Sequence, residues 1–149
     1  MSSERKQSVT QAWEAAWDRG DFGPLESLFA PTYRRHSSRT SDGAGQTREE
    51  FEAVIASTRL AFPDLHTEIL ELLEDGDSVA IRWRSVGTHT GRLMGVPATN
   101  RRVEVTGANF ARFEGDQIAE EYVSWDPREL LEAIGVIHLA SAESTAASS

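Results

Sequence analysis

A cone-shaped α+β fold is the architecture this chain predicts: a strongly curved, mostly antiparallel sheet wrapped around N-terminal helices, with a pocket between the two layers. Three observations carry it. Val9, Trp13, Ala16 and Trp17 recur at helical spacing near the start. Three strand-like runs, 79–87, 101–114 and 117–125, follow one another in the second half. Gly107 interrupts the middle run, where a bend or bulge would give the sheet the curvature a cone needs.

The elements follow in order. The first helix stops at Gly20. A second, short one is expected over Pro24–Phe29, with Leu25, Leu28 and Phe29 inward and Pro31 as its breaker. The segment 34–46, RRHSSRTSDGAGQ, is polar and glycine-bearing and reads as a loop over the pocket mouth. Thr47 and Glu50 have the spacing of a capping box, and the helix they open carries Phe51, Val54, Ile55, Thr58 and Phe62 on one stripe until Pro63 ends it. Residues 66–74 form a strand, and Asp75-Gly76-Asp77 turns into the next. There Val79, Ile81 and Trp83 share one face while Arg82 and Arg84 share the other. In the run 101–114, Val103, Val105, Gly107, Asn109, Ala111 and Phe113 fall on one side. Asp126-Pro127 opens a final helix ended by Gly135.

Composition bounds the function. The 149 residues suffice for one domain with a core and a cavity, expected over 1–139 with a disordered tail at 140–149. A net charge of −9, from 15 basic and 24 acidic residues, argues against nucleic acid or an anionic membrane as partner. Arg34-Arg35 and Arg101-Arg102 read as solvated turns or strand ends. The absence of cysteine removes disulfides, thiolate metal sites and a Cys nucleophile. The polar start and the lack of any membrane-length apolar run point to the cytoplasm. No nucleophile elbow, P-loop or zinc-protease helix occurs, and the histidines at 36, 66, 89 and 138 lack ligand-like spacing, so no metal is expected. Acid/base and electrostatic chemistry in an apolar pocket is what remains.

Several polar residues are candidates for that chemistry. Asn109 lies on an otherwise apolar strand face, where its amide either serves a structural neighbour or meets ligand. Tyr122 stands across the hairpin from Asn109 if Gly115-Asp116 is a two-residue turn; a bulge would put Val123 there instead. Trp83 and Trp125 are core residues or aromatic walls for a planar ligand. Arg82 sits between Ile81 and Trp83, facing ligand or solvent. His89 is an acid/base residue or a loop staple, and His36 a lid residue or an exposed histidine. Asp126 fits both a helix N-cap and a catalytic carboxylate at a strand end.

The stretches AFPDLHTEILELLEDGDSVAIRW and GTHTGRLMGVPATNRRVEVTGANFARFEGDQIAEEYVSWD resemble the SnoaL-like polyketide cyclase (ester cyclase) branch of the NTF2-like superfamily. The resemblance spans residues 8–136. It implies a cone-shaped α+β barrel with a deep hydrophobic pocket, no cofactor, and a homodimer or larger assembly. It also implies ring closure of aromatic polyketides by intramolecular aldol condensation, with an acid/base Asp on the last strand and a His on its neighbour. Those two positions hold Val123 and Asn109 here. A cyclase using Asp126 or His89 for the proton, with Asn109, Tyr122 and Arg82 stabilising an oxyanion, is therefore the expectation. A non-catalytic binding protein for hydrophobic small molecules and an epoxide-opening cyclase or hydrolase are the alternatives.

Overall fold

A computed structural model of the chain describes residues 3–37 and 43–137. Helix α1 (Glu4–Trp13) starts at Ser3, whose hydroxyl accepts the Lys6 N–H, and widens into a π turn over Glu14–Asp18. The short α2 (Gly23–Leu28) runs directly into strand β1 (Phe29–His36). Helix α3 (Arg48–Ala61) begins with the expected reciprocal cap: the Thr47 hydroxyl accepts from the Glu50 N–H at 3.2 Å, and the Glu50 carboxylate from the Thr47 N–H at 3.3 Å. Strands β2 (His66–Asp75), β3 (Ser78–Thr88), β4 (Arg102–Glu114) and β5 (Gln117–Trp125) follow, then α4 (Pro127–Ala133). The expected tail at 140–149, together with His138, lies outside the described residues.

The five strands form one sheet in the order β1-β5-β4-β3-β2. The β2–β3, β3–β4 and β4–β5 pairings are antiparallel, and β1 joins the edge of β5 in parallel. The fold is the α+β, NTF2-like architecture. Its inner face is covered by the helices: Val9, Ala12 and Trp13 of α1 and Phe51 and Ile55 of α3 pack with Val79, Ile81, Ala111, Phe113 and Ile118 of the sheet. A second apolar cluster, including Phe62, Leu93, Val103 and Ile134, closes the other end.

One sequence expectation changes here, and one that the sequence left open is decided. Residues 29–36 are strand rather than the end of a helix and the start of a loop. Pro31 is tolerated because β1 is an edge, where one missing N–H breaks no ladder bond, and the register with β5 is irregular between Phe29 and Arg34. The register between β4 and β5 is the one decided. Asn109 faces Val123, not Tyr122, because the β4–β5 pairing skips a residue between Arg112↔Glu120 and Phe113↔Ile118. The bulged residue is Ala119, buried beside buried Ile118. A one-residue bulge reverses the facing of everything beyond it: Glu121 and Val123 turn inward, Glu120 and Tyr122 outward. Ile81 is core, while Phe110 is exposed on the outer face.

The segments Phe62–His66 and Gly87–Gly91 lock together. The Asp64 carboxylate accepts the Thr88 N–H at 2.7 Å and its hydroxyl at 2.8 Å, and these bonds lower its pKa. Gly91 lies so close to α3 that a Cβ there would sit 2.2 Å from the Leu60 carbonyl oxygen. Within the sheet, Gly107 leaves room for indoles on both sides: an added Cβ would lie 2.4 Å from Trp83 Cζ2 and 2.9 Å from Trp125 Cβ. Gly107→Ala should therefore overpack the inner face, lowering stability by about 1–3 kcal/mol in urea denaturation and shifting tryptophan emission as Trp83 moves. An unchanged midpoint and spectrum would show that the indoles yield freely.

Candidate active site

Between the helices and the inner sheet face lies a cavity of about 360 Å³, within the usual range for a small-ligand site. Its walls are aromatic and aliphatic. All four tryptophans of the chain, Trp13, Trp17, Trp83 and Trp125, line it, together with Phe51 and Phe62. The polar residues reaching it include Arg35, Asn109 and Gln46, with a Thr67–Ser85 hydroxyl pair at 2.8 Å. No carboxylate or imidazole lines it among the described residues.

The polar end is built from the sheet. Asn109 is 3 % exposed. Its carbonyl oxygen accepts the Trp83 indole N–H at 2.8 Å, and its amide nitrogen donates to Glu121 Oε2 at 3.0 Å. These partners fix the amide orientation, since the indole can only donate and the carboxylate accepts. Glu121 is 0 % exposed and receives a second bond, from the Tyr33 hydroxyl to Oε1 at 2.7 Å. Arg35 Nε lies 3.8 Å from the same oxygen, an ion pair without a direct hydrogen bond. Burial raises the Glu121 carboxyl above the ordinary glutamate value, against the opposing pull of Arg35, Tyr33 and Asn109. Tyr33 is pushed well up as well, by burial first and then by the neighbouring Glu121.

The family follows from the whole chain. The family model for SnoaL-like polyketide cyclases matches residues 7–134. The chain belongs to the SnoaL-like polyketide cyclase family. Among solved structures, AclR of Streptomyces galilaeus, a proposed hydroxylase, is 26% identical, with 97% of this chain and 89% of AclR covered at a TM-score of 0.82. IdmH of Streptomyces antibioticus, a proposed polyketide cyclase, is 29% identical, with 89% of this chain and 99% of IdmH covered at a TM-score of 0.76. A Catenulispora acidiphila protein with a ketosteroid isomerase-like fold, 22% identical, covers 85% of this chain and 92% of its own at a TM-score of 0.65, a likeness of fold alone. No curated protein sequence matches the chain.

Within this SnoaL-like domain the sequence candidates separate into two groups. Asn109, Trp83 and Trp125 line the cavity. Tyr122 does not: the bulge turns it to the outer face, 49 % exposed, where its hydroxyl donates to Glu120 at 2.5 Å and its ring stacks on His36 at 4.9 Å. His36 is thus on the sheet's outer side rather than on a lid, with Nε2 3.8 Å from Glu120. Arg82 faces outward by strand alternation and pairs with Glu71. Asp126 is the N-cap of α4, accepting the Arg128 N–H at 3.0 Å and clasped by its guanidinium, and these bonds lower its pKa. A half-exposed carboxylate so held is poorly placed as a cavity base. His89 is fully buried beside Phe62 but outside the cavity wall. Its Nδ1 accepts the Thr99 N–H at 3.3 Å and lies 2.9 Å from the Thr99 hydroxyl, so the proton sits on Nε2, which has no partner.

Tyr33, Arg35 and Glu121 were not singled out by sequence. The available signal was position: Glu121 precedes Val123 by one strand repeat and so shares its face, and Tyr33 and Arg35 alternate in step with it across β1. Among the described residues no group of His, Asp and Glu could hold a metal, and no helix is long and apolar enough to cross a membrane.

Glu121 also makes a stability prediction. Its native pKa is raised, so the folded chain keeps the proton over a range where the unfolded chain has lost it. The stability that proton contributes is fully present below the ordinary glutamate value and is lost as pH rises through the native value. Thermal melts from about pH 4 to about pH 9 should show this decline in the wild type and a flatter profile in Glu121→Gln. Equal slopes would mean that the carboxyl titrates alike in both states.

Proposed function

We propose that the protein is a cytoplasmic, homodimeric, cofactor-independent cyclase acting on a hydrophobic polyketide-like intermediate. The observation that carries this reading is the Asn109–Glu121 pair at the polar end of a tryptophan-lined cavity. The family resemblance puts a His and an Asp at Asn109 and Val123. Here the carboxylate stands one strand repeat earlier on the same face, on a side chain one methylene longer. In an intramolecular aldol closure, an enolisable C–H loses a proton, its carbon bonds to a carbonyl carbon, and the carbonyl oxygen takes up a proton. The step is an isomerisation and needs no redox partner. Asn109 polarises the carbonyl through its second amide hydrogen, the C–H proton passes to solvent, Glu121 delivers a proton to the new alkoxide, and the aromatic walls hold the substrate in a reactive fold. The raised Glu121 pKa suits an acid that must keep its proton until the alkoxide forms.

The dimer is supported by the outer sheet face, where exposed Phe110 and Tyr122 lie among alternating Arg and Glu side chains such as Arg112 and Glu120. A second reading, a non-catalytic binding protein, is favoured by the lack of any carboxylate or imidazole in the cavity wall among the described residues.

Turnover separates the two readings. An aromatic polyketide carrying an enolisable side chain opposite a ketone should cyclise with wild type, followed by chromatography. Asn109→Leu should slow it by about 10²-fold or more, the usual effect of losing an oxyanion donor, while Asp126→Asn should leave it unchanged. Quenching of tryptophan emission without product would establish the binding protein instead. Light scattering at micromolar concentration should give twice the monomer mass; a monomer would remove the dimer from the proposal.

A further inference from the structure

Arg35 is a cation set into the wall of an apolar chamber, with one buried carboxylate near it. Its side chain is 12% exposed, and its guanidinium lies over the Phe51 ring at 4.3 Å, which fixes the plane of the fork. One nitrogen donates to the Gln46 side-chain oxygen at 3.2 Å. The Nε is buried and has no hydrogen-bond partner. The nearest carboxylate, Glu121, is 3.8 Å away and already engaged by Tyr33 and Asn109. Glu121 makes no hydrogen bond to the guanidinium, so it is an incomplete counter-ion. A buried guanidinium with an unused donor is costly when empty and favours a planar anionic oxygen group.

We propose that Arg35 is the anion-recognising residue of this cavity, and that its ligand is a planar, largely apolar molecule carrying an ionised oxygen function of the vinylogous-acid type: an acidic enol or a carboxylate. The inference rests on the cyclase reading for its site and deepens it. A β-dicarbonyl substrate arriving as its enolate has already given its proton to solvent, so no base is needed in the cavity wall, and none is present there among the described residues. The enolate carbon then forms the new C–C bond, the carbonyl π electrons pass to oxygen, and the Glu121 carboxyl delivers a proton to that oxygen. Glu121 is left as a carboxylate balanced by Arg35, and is reprotonated from solvent on product release. The sum is one proton lost and one regained, an isomerisation. Arg35 holds the charge before the bond forms and Glu121 receives it afterwards.

A matched pair of probes tests the charge alone. Anthraquinone-2-carboxylate and its methyl ester would each be titrated against the tryptophan emission of the full chain. Wild type should bind the carboxylate at least about tenfold more tightly than the ester, the scale of a charge-assisted hydrogen bond. Arg35→Met should bring that ratio to about one while leaving ester affinity in place, and Arg35→Lys should restore part of it. Because Arg35→Met leaves Glu121 without its cation, the double variant Arg35→Met/Glu121→Gln removes both charges and should show the same loss. Equal affinity of wild type for the two probes, no binding of either, or equal weakening of both by Arg35→Met would overturn the proposal. A carboxylate preference without turnover of any polyketide would sink the cyclase and keep the anion site. Undiminished cyclisation of a β-dicarbonyl substrate, offered as its enolate, by Arg35→Met would do the reverse.

Discussion

A carboxylate with no access to water is the constraint around which the inner face is organised. Glu121 is buried from β5, and an isolated ionised carboxyl there would cost many kcal/mol. Its relief comes from two other strands. Tyr33 and Arg35 reach it from β1, and Asn109 reaches it from β4. Those partners are themselves fastened to the core: the Tyr33 ring stacks on Phe29 at 3.8 Å, and Arg35 covers Phe51. The edge strand β1 is thus tied to the sheet by more than its ladder, since its two inward polar residues have obligations to the buried charge. Trp83 extends the chain to β3, because its indole N–H has the Asn109 oxygen as its partner. The amide that faces the cavity is oriented from behind by a carboxylate and from the side by an indole.

The bulge at Ala119 decides which residues take part. Without it Glu114 would still pair with Gln117, but Tyr122 and Glu120 would occupy the inner face and Glu121 the outer. One extra residue in a strand therefore exchanges a phenol for a carboxylate inside the molecule. The opposite end of the domain is set by a different device. Asp64, just past α3, holds Thr88 at the end of β3, and the backbone N–H groups of Thr90 and Gly91 both donate to the Ala61 carbonyl. The segments Phe62–His66 and Gly87–Gly91 meet there as a structural clasp, with His89 and Thr99 folded beneath it. That placement accounts for the imidazole without giving it a wall of the cavity.

Much of the fold was legible because its signals are periodic or local. The capping box at Thr47, the alternation through 101–114 and the N-cap at Asp126 each appear where their chemistry demands. β1 was hidden by Pro31 and by the polar run that follows, since nothing local distinguishes an edge strand in parallel pairing from a loop. The site was half legible. Asn109 stood out as the amide on an apolar face, and Trp83 and Trp125 by their alternation and strand-end position. Glu121, Tyr33 and Arg35 did not, because a charged residue in a Glu-Glu or Arg-Arg doublet looks solvated until the bulge and the β1–β5 register turn one member of each pair inward. The outward members, Glu120 and Arg34, behave as the doublets had implied.

The depth of Glu121 has a consequence for the kind of chemistry the site can host. A carboxyl exposed in the cavity wall would exchange protons with any water that entered, and would act on substrate and solvent alike. Placed behind Asn109, it is shielded, and its hydrogen bonds must rearrange before it can meet a substrate oxygen. In the proposed reaction, its proton would pass when a substrate oxygen displaces the Asn109 amide from it. This favours proton delivery late in a reaction over proton removal early, because removal would require Glu121 to stand ionised and ready in a place where burial opposes that state. In the proposed reaction, the burial that disfavours the ionised form of Glu121 suits it to deliver a proton rather than to remove one.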